Sequence, residues 1–455
     1  MTFKEMALAP ALQQALEGMG FEKPTEIQAR TIPMLLENKK VDFHGQAQTG
    51  TGKTLAFGLP LLQKINPERK TVQALIVAPT RELVVQICQN LRDAGKFTSL
   101  SIQPVYGGVA MSGQIRALKM GAHVVIGTPG RLNDHLRRGT LNLRDLEVLV
   151  LDEADIMLDM GFKDEVDEIL QHSAKDRQIW LFSATVKPGI EQIKHDHMKN
   201  VASVSASKQQ VGSSATKQYY CSVPPKMRIS ALARFIDSVE DFYGFIFCQT
   251  KMNAIEVAEQ LNAMGYKAGS LHGDMSQDQR NRTIKQFKSR EFGILVATDV
   301  AARGIDVADI THVVNYSLPN DQESYVHRVG RTGRAGKQGI AITFVNKSEQ
   351  FRVNSLKKRF KVDIDPINVP DDRDLMQMQM KRIAGIIETE QSLDATATAQ
   401  DELFQKVNQL LESYEAPVLK QVLARILRDK YLKSFERPQF VPASVTTFED
   451  DMVGA

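Results

Sequence analysis

Two α/β domains in tandem, each built on a parallel sheet and followed by a small α-helical C-terminal region, form the architecture expected of this chain. Three observations carry that expectation. Short apolar runs alternate with longer stretches that suit helices. The alternation occurs twice. After Pro366 it stops, and only helical periodicity continues.

In the first half the apolar runs are Ala74–Ala78, Val124–Gly127, Val148–Leu151 and Ile179–Phe182. They show no polar alternation, as in parallel strands covered by helices on both faces. The second half repeats them as Gly244–Cys248, Ile294–Ala297, His312–Tyr316 and Ile340–Val345. Between the halves, Val201–Gln218 is rich in Ser, Ala and Gln and offers little apolar surface, which suits a linker. The expected boundaries are 1–206 for the first domain, 207–217 for the linker and 218–362 for the second domain. Beyond Pro366, Met376, Met380, Ile383 and Ile387 follow helical spacing. Phe404, Val407, Leu410, Leu411 and Tyr414 make a second stripe. Val418, Leu419, Val422, Leu423, Ile426 and Leu427 make a third. Region 367–437 is therefore expected to be helical, and 438–455 a flexible tail.

Composition excludes little else. Hydrophobic residues are 42% and charged residues 24%, the range of soluble globular proteins. No apolar run approaches the ~18–20 residues of a membrane span. Lys4 and Glu5 stand where a signal peptide would be apolar, so the expectation is a cytoplasmic protein with no membrane partner. Cys88, Cys221 and Cys248 have no metal-ligand spacing and read as reduced thiols. A net charge of +3, from 57 basic and 54 acidic residues, is too balanced to announce a nucleic-acid partner. Function must come from motifs.

The strongest local signal is Ala47-Gln48-Thr49-Gly50-Thr51-Gly52-Lys53-Thr54. Its glycines let backbone N–H groups approach phosphate oxygens, Lys53 brings charge to the β- and γ-phosphates, and Thr54 can ligate Mg2+. About a hundred residues on, Val148–Leu151 ends in Asp152-Glu153-Ala154-Asp155. A strand ending in carboxylates delivers them to the edge of an open sheet where ligands bind. Asp152 is expected to hold Mg2+ and Glu153 to orient the attacking water. Alone, the first motif could be a Gly-rich turn and the second a solvated acidic turn; in this order they support each other.

Asp-Glu-Ala-Asp at 152–155 resembles the signature of the DEAD-box RNA helicases, and further motifs match in order from Phe3 to about Phe360. The resemblance implies two tandem RecA-like domains and an ATP-dependent RNA helicase using ATP and Mg2+. Gly20–Gln28 is similar to the family's adenine-recognising Q motif. It implies that Phe21 stacks on the base while Thr25 and Gln28 bond its edge. Phe3 matches an isolated upstream aromatic, or is simply packed in the core.

For RNA, the family match implies contacts from Arg81, Gly107, Gly108, Thr128 and Arg131 in the first domain and Thr250, Arg280 and Thr298 in the second. Contacts to phosphate and sugar position a strand without reading its sequence. Ser183 and Thr185, in Ser-Ala-Thr, and His327 are implied to couple nucleotide state to strand separation. Gly304 and Asp306 are implied to face the nucleotide. Arg331 and Arg334, in His327-Arg-Val-Gly-Arg-Thr-Gly-Arg334, are implied to act as arginine fingers. Four positions depart from the family's usual pattern, one of them Gln249, where many relatives have Asn. His44 stands where relatives are aliphatic and is read as structural, Ile156 follows the acidic motif, and Val329 replaces Ile. In similar bacterial helicases a helical dimerisation region follows the second domain, so a homodimer is expected. The alternative activity is an ATP-gated RNA clamp with slow hydrolysis; a DNA helicase of the same superfamily is a third.

Overall fold

The computed structural model describes residues 2–37, 41–47, 51–205, 216–302, 305, 307, 309–333, 337–392, 406 and 409–427. Two seven-stranded sheets dominate, and every strand pairing in them is parallel. The first contains β1 (Phe43–Gln46), β2 (Ala74–Val77), β3 (Ile102–Val105), β4 (Val124–Gly127), β5 (Val148–Leu151), β6 (Gln178–Ser183) and β7 (Ala202–Ser205). Their spatial order is β3-β4-β2-β5-β6-β1-β7. The second contains β8 (Thr216–Ser222), β9 (Gly244–Cys248), β10 (Ala268–Leu271), β11 (Ile294–Thr298), β12 (His312–Asn315), β13 (Gly339–Val345) and β14 (Asp365–Pro366). Their order is β10-β11-β9-β12-β13-β8-β14.

Successive residues of a central strand feed opposite cores. On β2, Ala74 and Ile76 join one cluster, while Leu75 and Val77 join the cluster on the other face. On β9, Phe245 and Phe247 face one side, and Ile246 and Cys248 the other. Each such fully buried aliphatic or aromatic side chain contributes about 1.5–3 kcal/mol relative to exposure. Phe3 is buried in the first of these clusters, so packing accounts for it. All three cysteines are buried and free.

Order reversal positions the site. The chain leaves β1, crosses to β2 three places away, and returns through β5 and β6 to lie beside β1 again. The carboxyl ends of β5, β6 and β1 therefore converge at a switch point, where open α/β sheets bind ligands.

Three details differ from expectation. The second sheet starts at Thr216, inside the segment expected to be linker, because alternate residues Thr216 and Gln218 are buried against the sheet; 206–215 lie outside the described residues. The sheet also takes in Asp365–Pro366, beyond the expected end of the second domain. In the helical region, Asp372–Ser392 docks on the second lobe through Leu375, Gln379 and Ile383. Met376 and Met380, expected on its apolar face, are exposed instead. The inward line is set by polar anchoring as well as apolar burial. Gln379 Nε2 donates to the Asp237 carbonyl at 3.0 Å, Arg382 to the Glu240 carbonyl, and Arg234 to the Pro370 carbonyl at 3.0 Å. Phe404, Val407 and the tail 438–455 lie outside the described residues.

Candidate active site

The helix Lys53–Lys64 starts directly after Gly52, so its N-terminal N–H groups and dipole face the cleft at the end of β1. Gly52 has φ +94°, and a Cβ there would lie 2.5 Å from Gln28 Nε2 and 2.9 Å from Thr25 Oγ1. Both backbone sign and space thus require glycine. Gln28 clamps this turn: its Nε2 donates to the Gly52 carbonyl at 3.0 Å, and its Oε1 accepts from Thr25 N at 2.9 Å. Phe21, expected to stack on the base, is 44% exposed. Thr51 and Thr54 are partly exposed beside the loop, and Ala47 N donates to the Ser183 carbonyl at 3.0 Å. Gln48, Thr49 and Gly50 lie outside the described residues.

Lys53 Nζ is buried, has no hydrogen-bond acceptor, and sits 4.0 Å from Asp152 Oδ1. Burial pushes the Asp152 carboxyl above its usual range; the Lys53 ammonium opposes this and Glu153 adds to it. Glu153 is buried beside it with φ 51° and ψ 47°. A left-handed non-glycine residue costs about 1–3 kcal/mol, and such strain concentrates at functional sites. Here it turns the chain sharply from β5 into the helix Ala154–Asp159.

Asp155, which motif reading left without a separate role, closes the other side. Its Oδ2 accepts from Ala184 N at 3.1 Å, Thr185 N at 2.9 Å and Thr185 Oγ1 at 2.9 Å. Ser183 Oγ lies 3.2 Å from His44 Nε2. The 183–185 turn is therefore bonded both to the acidic turn and to the strand that leads into the phosphate loop.

On the second lobe, Arg331 Nη1 donates to the Ile305 carbonyl at 2.8 Å. It lines a small cavity with His327, Ser324, Asp299 and Arg328. Arg328 has a different task. Its guanidinium bridges both Asp299 oxygens at 2.6 and 2.7 Å, bonds Asn315 Oδ1 and the Ser317 carbonyl at 3.1 Å, and lies over the Phe247 ring. Buried and bonded through all three nitrogens, it ties Asp299 to the end of β12. Gly304, Asp306 and Arg334 lie outside the described residues.

The expected RNA contacts divide between exposed backbone and engaged side chains. Gly108 is exposed with φ +80°, beside the half-buried Gly107. Arg81 lies 4.6 Å over the Tyr106 ring. Thr128 precedes the helix Pro129–Arg137, and Thr298 ends β11, both partly exposed. Thr250 is exposed and caps its helix by accepting from Asn253 N at 3.2 Å. Arg131 donates to the Val109 carbonyl at 3.1 Å and to Gln114 at 3.3 Å. Arg280, placed at the RNA surface by motif reading, has a partner across the cleft. Its Nε donates to Glu82 Oε1 at 2.6 Å and its Nη2 to the Ala301 carbonyl at 2.7 Å. Gln277 reaches the same Glu82 oxygen at 3.4 Å. Glu82 follows Arg81 in Pro-Thr-Arg-Glu-Leu; the motif contained it, but a charge balance across two domains is invisible in a linear sequence.

Comparison with known proteins accounts for this two-lobed cleft. The family profile described as DEAD/DEAH box helicase matches residues 25–193, and the helicase conserved C-terminal domain matches 227–336. Over 409 residues the chain is 43% identical to the DEAD-box ATP-dependent RNA helicase CshA of Geobacillus kaustophilus (strain HTA426), covering 89% of this chain and 87% of that protein. It is similar to S. cerevisiae Dbp5 bound to RNA and ADP BeF3, with TM-score 0.76 and 33% identity over 83% of this chain and 99% of the other. Mss116 bound to ssRNA and UDP-BeF gives TM-score 0.73 at 28% identity, over 83% and 81% of the two chains. Since these matches run through both lobes and take in the phosphate loop, the acidic strand end and the arginine-bearing helix alike, the chain belongs to the DEAD-box family of ATP-dependent RNA helicases.

Proposed function

We propose that the chain hydrolyses ATP between its lobes and uses their closure to grip, bend and locally unwind RNA. The observation that carries this reading is the buried Lys53 ammonium, without an acceptor and 4.0 Å from Asp152 Oδ1. Burying such a cation with its hydrogen-bonding capacity unused is costly, and phosphate oxygens would satisfy it. The donor set also fits Mg2+, with the Thr54 hydroxyl and the Asp152 carboxylate as oxygen ligands. When bound, Mg2+ supplies charge neutralisation at the β- and γ-phosphates. Glu153 orients the attacking water and takes its proton at the carboxylate. Arg331 and Arg334 reach the γ-phosphate from the second lobe, so hydrolysis requires closure. The Glu82–Arg280 pair helps hold that closure, and strand contacts through Arg81, Gly107, Gly108, Thr128, Arg131, Thr250 and Thr298 go to the backbone. Likeness to Dbp5 bound to RNA and ADP BeF3 supports this arrangement.

The test is the ATP turnover rate with matched single strands of RNA and DNA. RNA is expected to stimulate strongly and DNA weakly. Equal stimulation would reassign the substrate, and no stimulation by either would remove the coupling.

The same reading includes a homodimer in a reducing, cytoplasmic setting. Buried, free thiols are compatible with that compartment. No helix among the described residues is long and apolar enough to cross a membrane. On the helix Ala416–Leu427, Val418, Val422, Leu423 and Ile426 are all exposed, as are Leu410, Leu411 and Tyr414 before it. An apolar face of this kind favours a partner, and a twofold contact is the commonest way to cover it. Light scattering at about 50 µM is expected to give a dimer for the full chain and a monomer for one ending at Ser392. A monomeric full chain contradicts the assignment.

A further inference from the structure

His44 occupies a buried position on β1, a central strand. An aliphatic side chain would fill such a position without a polar group to satisfy; an imidazole buried there loses hydration and needs a partner. Its Nε2 lies 3.2 Å from Ser183 Oγ, with both groups buried. Two further bonds join the same segments. Ala47 N donates to the Ser183 carbonyl at 3.0 Å, and Gln46 Nε2 to the Ala184 carbonyl at 3.4 Å.

These bonds place the 183–185 turn between the two halves of the nucleotide site. On one side stands β1, which continues into the phosphate loop. On the other stands Asp155, three residues after Asp152, holding Ala184 and Thr185. The turn also leads toward the second lobe. Lys187 pairs with Asp159 at 2.8 Å and lies near Asp321. Burial opposes ionisation of Asp321, but the Ser324 hydroxyl and amide and the Lys187 ammonium outweigh it and hold its carboxyl below the usual range. A movement of the phosphate loop therefore has a bonded route as far as the 183–185 turn, beyond which the Lys187 ammonium acts electrostatically on Asp321 of the second lobe.

We propose that His44 is a positioning residue that fixes the Ser183 hydroxyl to the phosphate-loop strand, so that nucleotide-driven motion is passed to the turn facing the second lobe. The inference rests on the helicase reading above. It assigns His44 a role in coupling rather than only in packing. Burial and the Lys194 ammonium lower its proton affinity, against Glu191 and Asp155, so the ring is neutral at pH 7 and can share a hydrogen bond with the hydroxyl.

The experiment measures RNA strands separated per ATP hydrolysed by the full-length protein, together with ATP KM, for wild type, His44→Leu and His44→Gln. Leucine fills the site without a polar atom, and glutamine restores an amide near the Nε2 position. The strands-per-ATP ratio is expected to fall roughly two- to tenfold in His44→Leu, the factor set by one hydrogen bond of ordinary strength. His44→Gln is expected to recover it. Thermal melts of both variants verify folding; if His44→Leu does not fold, His44→Gln compared with His44→Asn carries the same test, since the shorter amide stops short of Ser183. An unchanged ratio in the folded variant lacking the bond overturns the proposal. So does a matched loss in leucine and glutamine variants, which would indicate shape alone. A wild type that hydrolyses ATP without separating strands would instead overturn the helicase reading, so the two failures are distinguishable.

Discussion

Glu153→Gln is expected to lower ATP turnover by about 10²–10⁴-fold while leaving ATP binding intact. The amide keeps the size of the side chain but cannot accept a proton from the attacking water. Asp152 is unharmed by the change. The Glu153 charge raises the Asp152 carboxyl, so its removal makes Asp152 easier to ionise and no worse as an oxygen ligand. Lys53, 4.0 Å from Asp152, is likewise untouched. The variant should therefore reach the closed ATP–RNA complex and stay there, with slow RNA release. Turnover and RNA release are measured on the same preparation. Near-normal turnover would remove Glu153 from the chemistry. Loss of ATP binding would show that its buried, left-handed geometry matters for the fold of the loop instead.

Arg331→Ala is expected to cut RNA-stimulated hydrolysis by up to about 10³–10⁵-fold, with ATP affinity changed far less. The separation follows from where the residue sits. Arg331 belongs to the second lobe, its Nη1 bonded to the Ile305 carbonyl, whereas Lys53 and the helix N-terminus proposed to bind the phosphates belong to the first lobe. Removing a group that engages only on closure lowers the rate without weakening initial binding. Arg334→Ala carries the same expectation from its place in the motif. Arg328→Ala does not: it leaves the buried Asn315 Oδ1, the Ser317 carbonyl and the half-buried Asp299 carboxylate without their shared donor, so its loss should destabilise the lobe. Affinity falling as steeply as rate in Arg331→Ala would make that residue a ground-state anchor.

Most interior strands of both sheets were legible in sequence; the edges were not, nor was β8, an interior strand whose Thr-Lys-Gln-Tyr-Tyr-Cys-Ser carries no apolar run. β2, β4, β5 and β6, like β9, β11, β12 and β13, lie inside the sheets and read as continuous apolar runs. β3, β7, β10 and β14 are edges, half open to solvent, and sequences such as Ile-Gln-Pro-Val and Ala-Ser-Val-Ser carry no such run. β1 is central yet polar: Phe-His-Gly-Gln has His44 bonded to Ser183, and a Cβ at Gly45 would meet the Phe182 ring at 2.5 Å. Only its place before the phosphate loop marked it. The helix after Pro370 was found, but its face was misread, because Gln379 interrupts the buried line of Leu375 and Ile383 and exposed methionines imitate a stripe. At the site, residue types at fixed spacing identified the phosphate loop and acidic turn. Partnerships between distant segments, such as Asp155 with Thr185 or Glu82 with Arg280, require the fold.

Strand-separation yield against RNA duplex length, at saturating ATP, tests most directly the claim that one closure event does the unwinding. A single cleft that bends the backbone across two lobes can disrupt only the base pairs it spans. Yield is predicted to fall sharply once the duplex exceeds about one helical turn. Equal yields on short and long duplexes would contradict the account and require a protein that tracks along the strand.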